Sequence, residues 1–339
     1  MLSCPNKNDS TSFYRGFGPW GALRKKLPPE IRVEPQREDI TWASLKMVDA
    51  VFLQRPFNKG HLTIAEMCKS RNIKLWVDYD DALLHVPDDN PTYEQYSNAS
   101  HQNNVMKILD MADVVTLSTQ HLLETYANLL PENLRSEFRR KSHVISNAFD
   151  DHDFTYPKNP EDQKRCVMWR GSATHTRDLS DYAIEIVQAH KKAPHWLFTF
   201  IGYHPWFIAQ HFDKKSYVHS PGIDVYDYFR EIALIKPAVC IVPLFDSTFN
   251  KCKSNIAWIE ASFAGAVTIA PNWDEWKKPG CLTYKTQAEF SSLLESAMRE
   301  EIDFTKLNKE SWEFIEDQLF LSYVNIEREE ILRNLLETV

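Results

Sequence analysis

Glycine is scarce, with nine residues in 339, yet Gly16, Gly18 and Gly21 fall together around Pro19 and Trp20. That short stretch, read as a loop before a helix-like ALRKKL, is where the backbone is expected to approach a ligand closely, an ordinary tight connection being the alternative. The six cysteines (Cys4, Cys68, Cys166, Cys240, Cys252 and Cys281) form no CxxC pair and no His/Cys cluster at zinc spacing. Reduced thiols in a cytosolic protein are the simplest account. No apolar run approaches the roughly 20 residues of a membrane helix, and the opening MLSCPNKNDS lacks an apolar signal core. A soluble, cytoplasmic protein is expected. Positive charge is not in surplus: the net charge of -8 gives no global sign of nucleic-acid binding, although a local basic groove is compatible with it. There is no internal repeat and no low-complexity tract.

What is present suits a packed chain of two domains, with 43% hydrophobic and 12% aromatic residues. Short apolar runs at 50–53, 74–77 and 112–118 alternate with helical patterns at 62–70, 105–111 and 121–130, the rhythm of an α/β protein with a parallel sheet. Composition then shifts at DDHDFTYPKNPEDQK, polar with two prolines, as an interdomain linker is. The boundary is placed near Tyr156, giving domains 1–155 and 156–339. Strands at 166–169, 196–202, 238–243, 267–270 and 281–284 then repeat the rhythm, and 304–339 reads as helical. Trp206, Phe207, Trp273 and Trp276 read as core.

Ligands in open α/β sheets collect at the carboxyl ends of strands. Gln54-Arg55-Pro56 and the acidic Asp78-Tyr79-Asp80-Asp81 both lie at such ends. The three aspartates fit a divalent metal site, a set of cleft carboxylates without metal, or turn and N-cap residues. His85 just beyond them is an acceptor-side candidate. In the second half, Arg170, Gly171, Ser172, His175 and Arg177 occupy a strand-to-helix loop, where arginine forks match phosphate and His175 could reach a sugar or phosphate oxygen.

The stretch 250–271, NKCKSNIAWIEASFAGAVTIAP, carries most of the chemistry. Ile256, Ile259 and Phe263 recur at helical spacing, Gly265 closes the helix, and Ser254 is a plausible N-cap with Asn255 beside it. Unpaired N–H groups and the positive dipole end, next to Lys251 and Lys253, form an anion site, the alternative being a capped surface helix with solvated lysines. Glu260 is expected about two turns in, where it can accept from sugar hydroxyls.

The pattern Lys253-Ser254, Glu260, Ala264-Gly265-Ala266-Val267 resembles the donor-binding segment of retaining GT-B glycosyltransferases of glycosyltransferase family 4. VDYDDALLHVP is similar to phage and bacterial GT-B members, WRGSATHTRDL to the first loop of their C-terminal domain, and the run 143–150, HVISNAFD, resembles the strand that ends their N-terminal half. The resemblance implies two Rossmann-like domains facing a cleft, with the terminal helices crossing back to the first. It implies Asp80, Asp81, Arg170 and Lys253 as catalytic residues. Gly18, Gly171, Ser172, His175, Ser254, Asn255 and Glu260 would bind a nucleotide diphosphate sugar such as a UDP-sugar. No metal or other cofactor is expected. One departure stands out: Cys252 occupies the place of the family's sugar-contacting glutamate.

The function implied is transfer of a hexosyl or pentosyl group to a hydroxyl, with retention. The acceptor is a glycan or glycolipid, or a hydroxymethylated DNA base as in phage DNA modification. The DNA acceptor would need a local basic cleft, for which Arg15, Arg24, Lys25 and Lys26 are candidates. A phage-encoded enzyme would work in the host cytoplasm. Two rivals are a non-catalytic nucleotide-sugar binding module, which Cys252 would permit, and a metal-dependent GT-A transferase using Asp78 and Asp80.

Overall fold

The computed structural model describes residues 2–3, 10–36, 40, 42–156 and 163–337. The first sheet comprises β1 (Leu2–Ser3), β2 (Pro35–Gln36), β3 (Ala50–Gln54), β4 (Lys74–Tyr79), β5 (Val114–Leu117) and β6 (Ser142–Val144). They are hydrogen-bonded in the order β2-β1-β3-β4-β5-β6, every pair parallel. The second comprises β7 (Lys164–Gly171), β8 (Leu197–Gly202), β9 (Tyr217–Ser220), β10 (Pro237–Ile241), β11 (Val267–Pro271) and β12 (Leu282–Tyr284). Its order is β12-β11-β10-β7-β8-β9, again all parallel. Parallel strands need crossover helices, which cover both faces; β10 and β11 are accordingly buried along their whole length and read as continuous apolar runs. Strand order reverses between β7 and β10, so their carboxyl ends flank a crevice.

Two expectations change. The glycine-containing stretch is helical: Ser10–Arg15 and Phe17–Leu23 are two short helices that meet at Gly16. Gly18 serves their contact, because a Cβ there would lie 2.2 Å from the Phe13 carbonyl oxygen. Gly18→Ala is therefore expected to cost about 1–3 kcal/mol through overpacking, read as a lowered melting temperature. Of the run 143–150 only His143 and Val144 lie in a strand, β6; beyond it the Asp150 carboxylate accepts the N–H groups of His152 and Asp153 and turns the chain. The linker expected next falls partly on 157–162, outside the described residues.

The tail is two helices, Phe304–Gln318 and Leu321–Glu337. The break between them is pinned to the end of the first half, where Phe149 N–H donates to Leu319 O and Leu321 N–H to Phe149 O, both at 2.8 Å. Past the break, Ile331, Leu332 and Leu335 pack on Trp20, Phe52, Trp76 and Val114. The halves also exchange core residues. Phe13 and Tyr14 pack among Val225, Phe229 and Phe149. In the other direction, Phe249 and Cys252 enter the first-half core with Leu83 and Tyr126.

Candidate active site

Between the carboxyl ends of the two sheets lies a crevice of about 800 Å³. Arg55, Asp80 and Asp81 line it from the first half; Arg170, Gly171, Ser172, His175, Lys253, Ser254 and Glu260 line it from the second. Tyr14 reaches it from the N-terminal helix.

Glu260 sits one turn into the helix Ile256–Phe263, not two, and is buried. Its Oε1 accepts from the Tyr14 hydroxyl at 2.8 Å and its Oε2 from the Tyr228 hydroxyl at 2.9 Å. Arg170 Nε lies 2.7 Å from Oε2. Burial, and then the carboxylate beside them, push both tyrosines well above the ordinary phenol range, so they stay neutral donors. Burial works against the charge of Arg170, but Glu260, with Tyr228 and Tyr14 behind it, outweighs it and the guanidinium is held charged. Gly171 follows because a Cβ there would meet the Trp169 ring at 2.8 Å.

At the helix start, Asn255 is the N-cap residue and its side chain makes no capping bond; the expected cap, Ser254, instead accepts from Asn147 Nδ2 at 2.7 Å. Asn255 is buried behind the crevice wall. Lys253 Nζ lies 4.5 Å from the Phe249 ring centroid and 3.8 Å from Asp81 Oδ1, facing the crevice. The second lysine does not join it: Lys251 pairs with Asp246 at 2.6 Å.

The aspartates divide by depth. Asp78 is buried and its two oxygens accept from Arg15 Nε at 3.0 Å and Nη2 at 2.7 Å. Asp80 and Asp81 reach the crevice, bridged by Arg55, whose Nη2 is 2.8 Å from Asp80 Oδ2 and also binds Asp81. Arg55 takes this position with a left-handed backbone, φ 47°. Burial dominates at Asp80, despite Arg55, and raises its pKa; at Asp81 the charges of Lys253 and Arg55 outweigh burial and lower it. Among the described residues no group of three or more His, Cys, Asp or Glu side chains is arranged to hold a metal ion.

Several expected site residues lie elsewhere. Gly18 borders a separate, smaller cavity with Arg24 and Lys25. Arg177 stacks 4.0 Å over Phe245 and pairs with Asp89, and neither it nor His85 lines the crevice. Arg15 is fully buried on Asp78, which removes it from any basic surface. Trp276 is buried as expected, but Trp206 is largely exposed. Cys252 faces away from the crevice: its Sγ is 3.4 Å from Thr125 Oγ1 and its carbonyl accepts from Thr119 Oγ1 at 3.1 Å, both in the first half. Sequence reading missed Tyr14, Tyr228, Asn147 and Asp178. Tyr14 and Arg15, adjacent to the glycine cluster, were the available signal.

Comparison with solved structures recovers this architecture. Pneumococcal O-GlcNAc transferase GtfA, solved with UDP and GlcNAc, superposes with a TM-score of 0.59 at 12% identity, covering 87% of this chain and 58% of that one. This chain thus spans little more than half of GtfA. Anabaena HepE, solved with UDP and glucose, gives 0.62 at 12% identity, covering 92% and 88%. An α-glucosyltransferase, solved with UDP and a 13-mer DNA containing a HMU base, gives 0.55 at 12% identity, covering 88% and 84%. No family model and no curated protein sequence matches the chain. Among the described residues no helix is long and apolar enough to cross a membrane. The metal-dependent GT-A alternative is set aside, since both sheets are parallel and the aspartates are engaged by arginines. The chain has the GT-B fold: two parallel α/β sheets facing a crevice, with the last helix returned to the first.

Proposed function

We propose that this protein transfers a glycosyl group from a UDP-sugar to a hydroxyl acceptor, with retention, in the manner of the family 4 transferases that Lys253-Ser254 and Glu260 resemble. One observation carries the reading: Arg170, Lys253 and the Ser254 helix start converge on one wall of the crevice beside a buried carboxylate. In transfer, the bond from the anomeric carbon to the diphosphate oxygen breaks and UDP leaves with the electron pair. Cations and N–H groups already in place stabilise the charge as it develops. On this account no metal is required, and transfer is expected to persist in EDTA.

The acceptor wall favours a sugar hydroxyl over DNA. Arg55 is neutralised by two aspartates, Asn90, Thr92 and Tyr96 border it, and Arg15 is internal. Binding to duplex DNA that weakens steeply with salt would reverse that choice. A fold alone does not specify chemistry, so the test is direct. Calorimetry should register UDP binding by the wild type, weakened about 10- to 100-fold by Lys253→Ala, the value of a charge-assisted bond. Unchanged affinity in Lys253→Ala and Glu260→Ala would remove the donor assignment. UDP binding without any turnover of UDP-sugars would leave a binding module.

A further inference from the structure

Asp178 and His175 form a buried pair with a defined polarity. His175 Nδ1 is 2.8 Å from Asp178 Oδ2. Asp178, itself 2% exposed, uses its other oxygen, Oδ1, to accept from Phe245 N–H at 3.0 Å and Asn250 Nδ2 at 2.8 Å. With Asp178 as a carboxylate both oxygens accept, and Nδ1 then carries the proton it donates. Nε2 is then the ring's lone-pair nitrogen. Among the described residues Nε2 has no hydrogen-bond partner, and the ring lines the crevice. A neutral ring of this tautomer offers no N–H to a phosphate oxygen, whereas a sugar hydroxyl can donate to Nε2.

We infer that His175 Nε2 is the base that takes the proton of the attacking hydroxyl, and that Asp178 is the positioning residue that fixes its tautomer. The inference rests on the transfer reading above. As UDP departs, the acceptor oxygen bonds to the anomeric carbon from the face that the diphosphate leaves, so that configuration is retained, and its proton passes to Nε2, which shares that wall with Lys253 and Arg170. The imidazolium formed is held against the Asp178 carboxylate. The charges facing His175 are Asp178 on its own segment, Lys253 from the loop beyond β10, Arg170 at the end of β7, and Asp81 from the first half. Burial, then Lys253, lowers its pKa below the usual histidine value despite Asp178, which keeps Nε2 unprotonated near neutral pH.

Asp178→Asn is informative because Phe245 N–H and Asn250 Nδ2 will claim the amide oxygen. The amide NH₂ then faces Nδ1 and forces the proton onto Nε2, the wrong tautomer. The primary readout is long-range ¹H–¹⁵N NMR of ¹⁵N-histidine-labelled full-length protein. Wild-type His175 is expected as Nδ1–H at pH 7.5, and Asp178→Asn as Nε2–H. Turnover is followed as UDP release from UDP-glucose and UDP-N-acetylglucosamine, with UDP affinity measured alongside. Asp178→Asn and His175→Gln are each expected to lower kcat about 100- to 10,000-fold, with UDP affinity within about twofold of wild type. The wild-type rate should fall as pH drops through the His175 pKa, and His175→Gln should lose that limb.

A wild-type ring carrying its proton on Nε2, or on both nitrogens at pH 7.5, overturns the inference. So does His175→Gln turnover within about threefold of wild type while UDP still binds. A wild type that neither binds UDP nor turns over these donors overturns the proposed function, and the base role with it.

Discussion

Arg15→Met is expected to destabilise the protein by about 3–5 kcal/mol, the loss typical when one partner of a buried ion pair is removed. The Arg15 side chain is 0% exposed and that of Asp78 4%, so water cannot replace the lost partner. Its guanidinium also donates from Nη1 to the Ile145 carbonyl and to Asn147 Oδ1. Asn147 in turn donates to Ser254 Oγ on the crevice wall. The substitution thus strips a buried carboxylate and loosens a polar relay that runs from the first sheet to the donor side. A large fall in melting temperature, with weakened UDP binding in the protein that remains folded, is the expected result. The double substitution Arg15→Met with Asp78→Leu removes both charges and should recover a large part of the stability. A single variant that melts within a degree or two of wild type would show that the pair contributes nothing net. Burial and the neighbouring Arg15 charge lower the pKa of Arg328, on the returning helix, to about 9, so a second cation already strains this interior.

Arg170→Met should weaken UDP binding by about 10- to 100-fold, as expected when a charge-assisted hydrogen bond is lost. It should also cost about 1–3 kcal/mol of stability, less than at Arg15 because the Arg170 side chain is 26% exposed. The stability loss has a definite source: Glu260, 6% exposed, is left with two tyrosine donors and no cation. Adding Glu260→Gln should restore stability, because one tyrosine can still donate to the amide oxygen while the hydroxyl of the other turns to accept from the amide NH₂, without restoring UDP affinity. Calorimetry paired with thermal melting separates the two effects. If Arg170→Met binds UDP as the wild type does, the guanidinium is structural only and the diphosphate site lies elsewhere.

The parallel α/β architecture was readable because it is written in local periods. Val51 to Leu53 and Val239 to Ile241 are apolar runs too short for helices, and Ile256, Ile259 and Phe263 mark a helical face. The helix start at 253–255 was placed to within one residue by the same logic, with Ser254 standing in for Asn255. Missing were β1, β2 and β9, of which β1 and β2 are two residues long and carry no usable pattern. Gly18 misled for a physical reason: a glycine required by close backbone approach signals that approach equally for a ligand or for Phe13.

By itself the amino-acid sequence determined most of the segments that become strands and helices, and that Arg170 and Lys253 lie at a strand end and a helix start with Glu260 inside that helix. Only the tertiary structure decided that two of three neighbouring aspartates, Asp80 and Asp81, meet the crevice, that Arg15 is internal, that Cys252 turns away, and that Glu260 is held by Tyr14 across 246 positions. Side-chain periodicity is a property of a few consecutive residues. The partner of a buried charge is chosen by how two sheets and a returning helix close on each other, which no local pattern records.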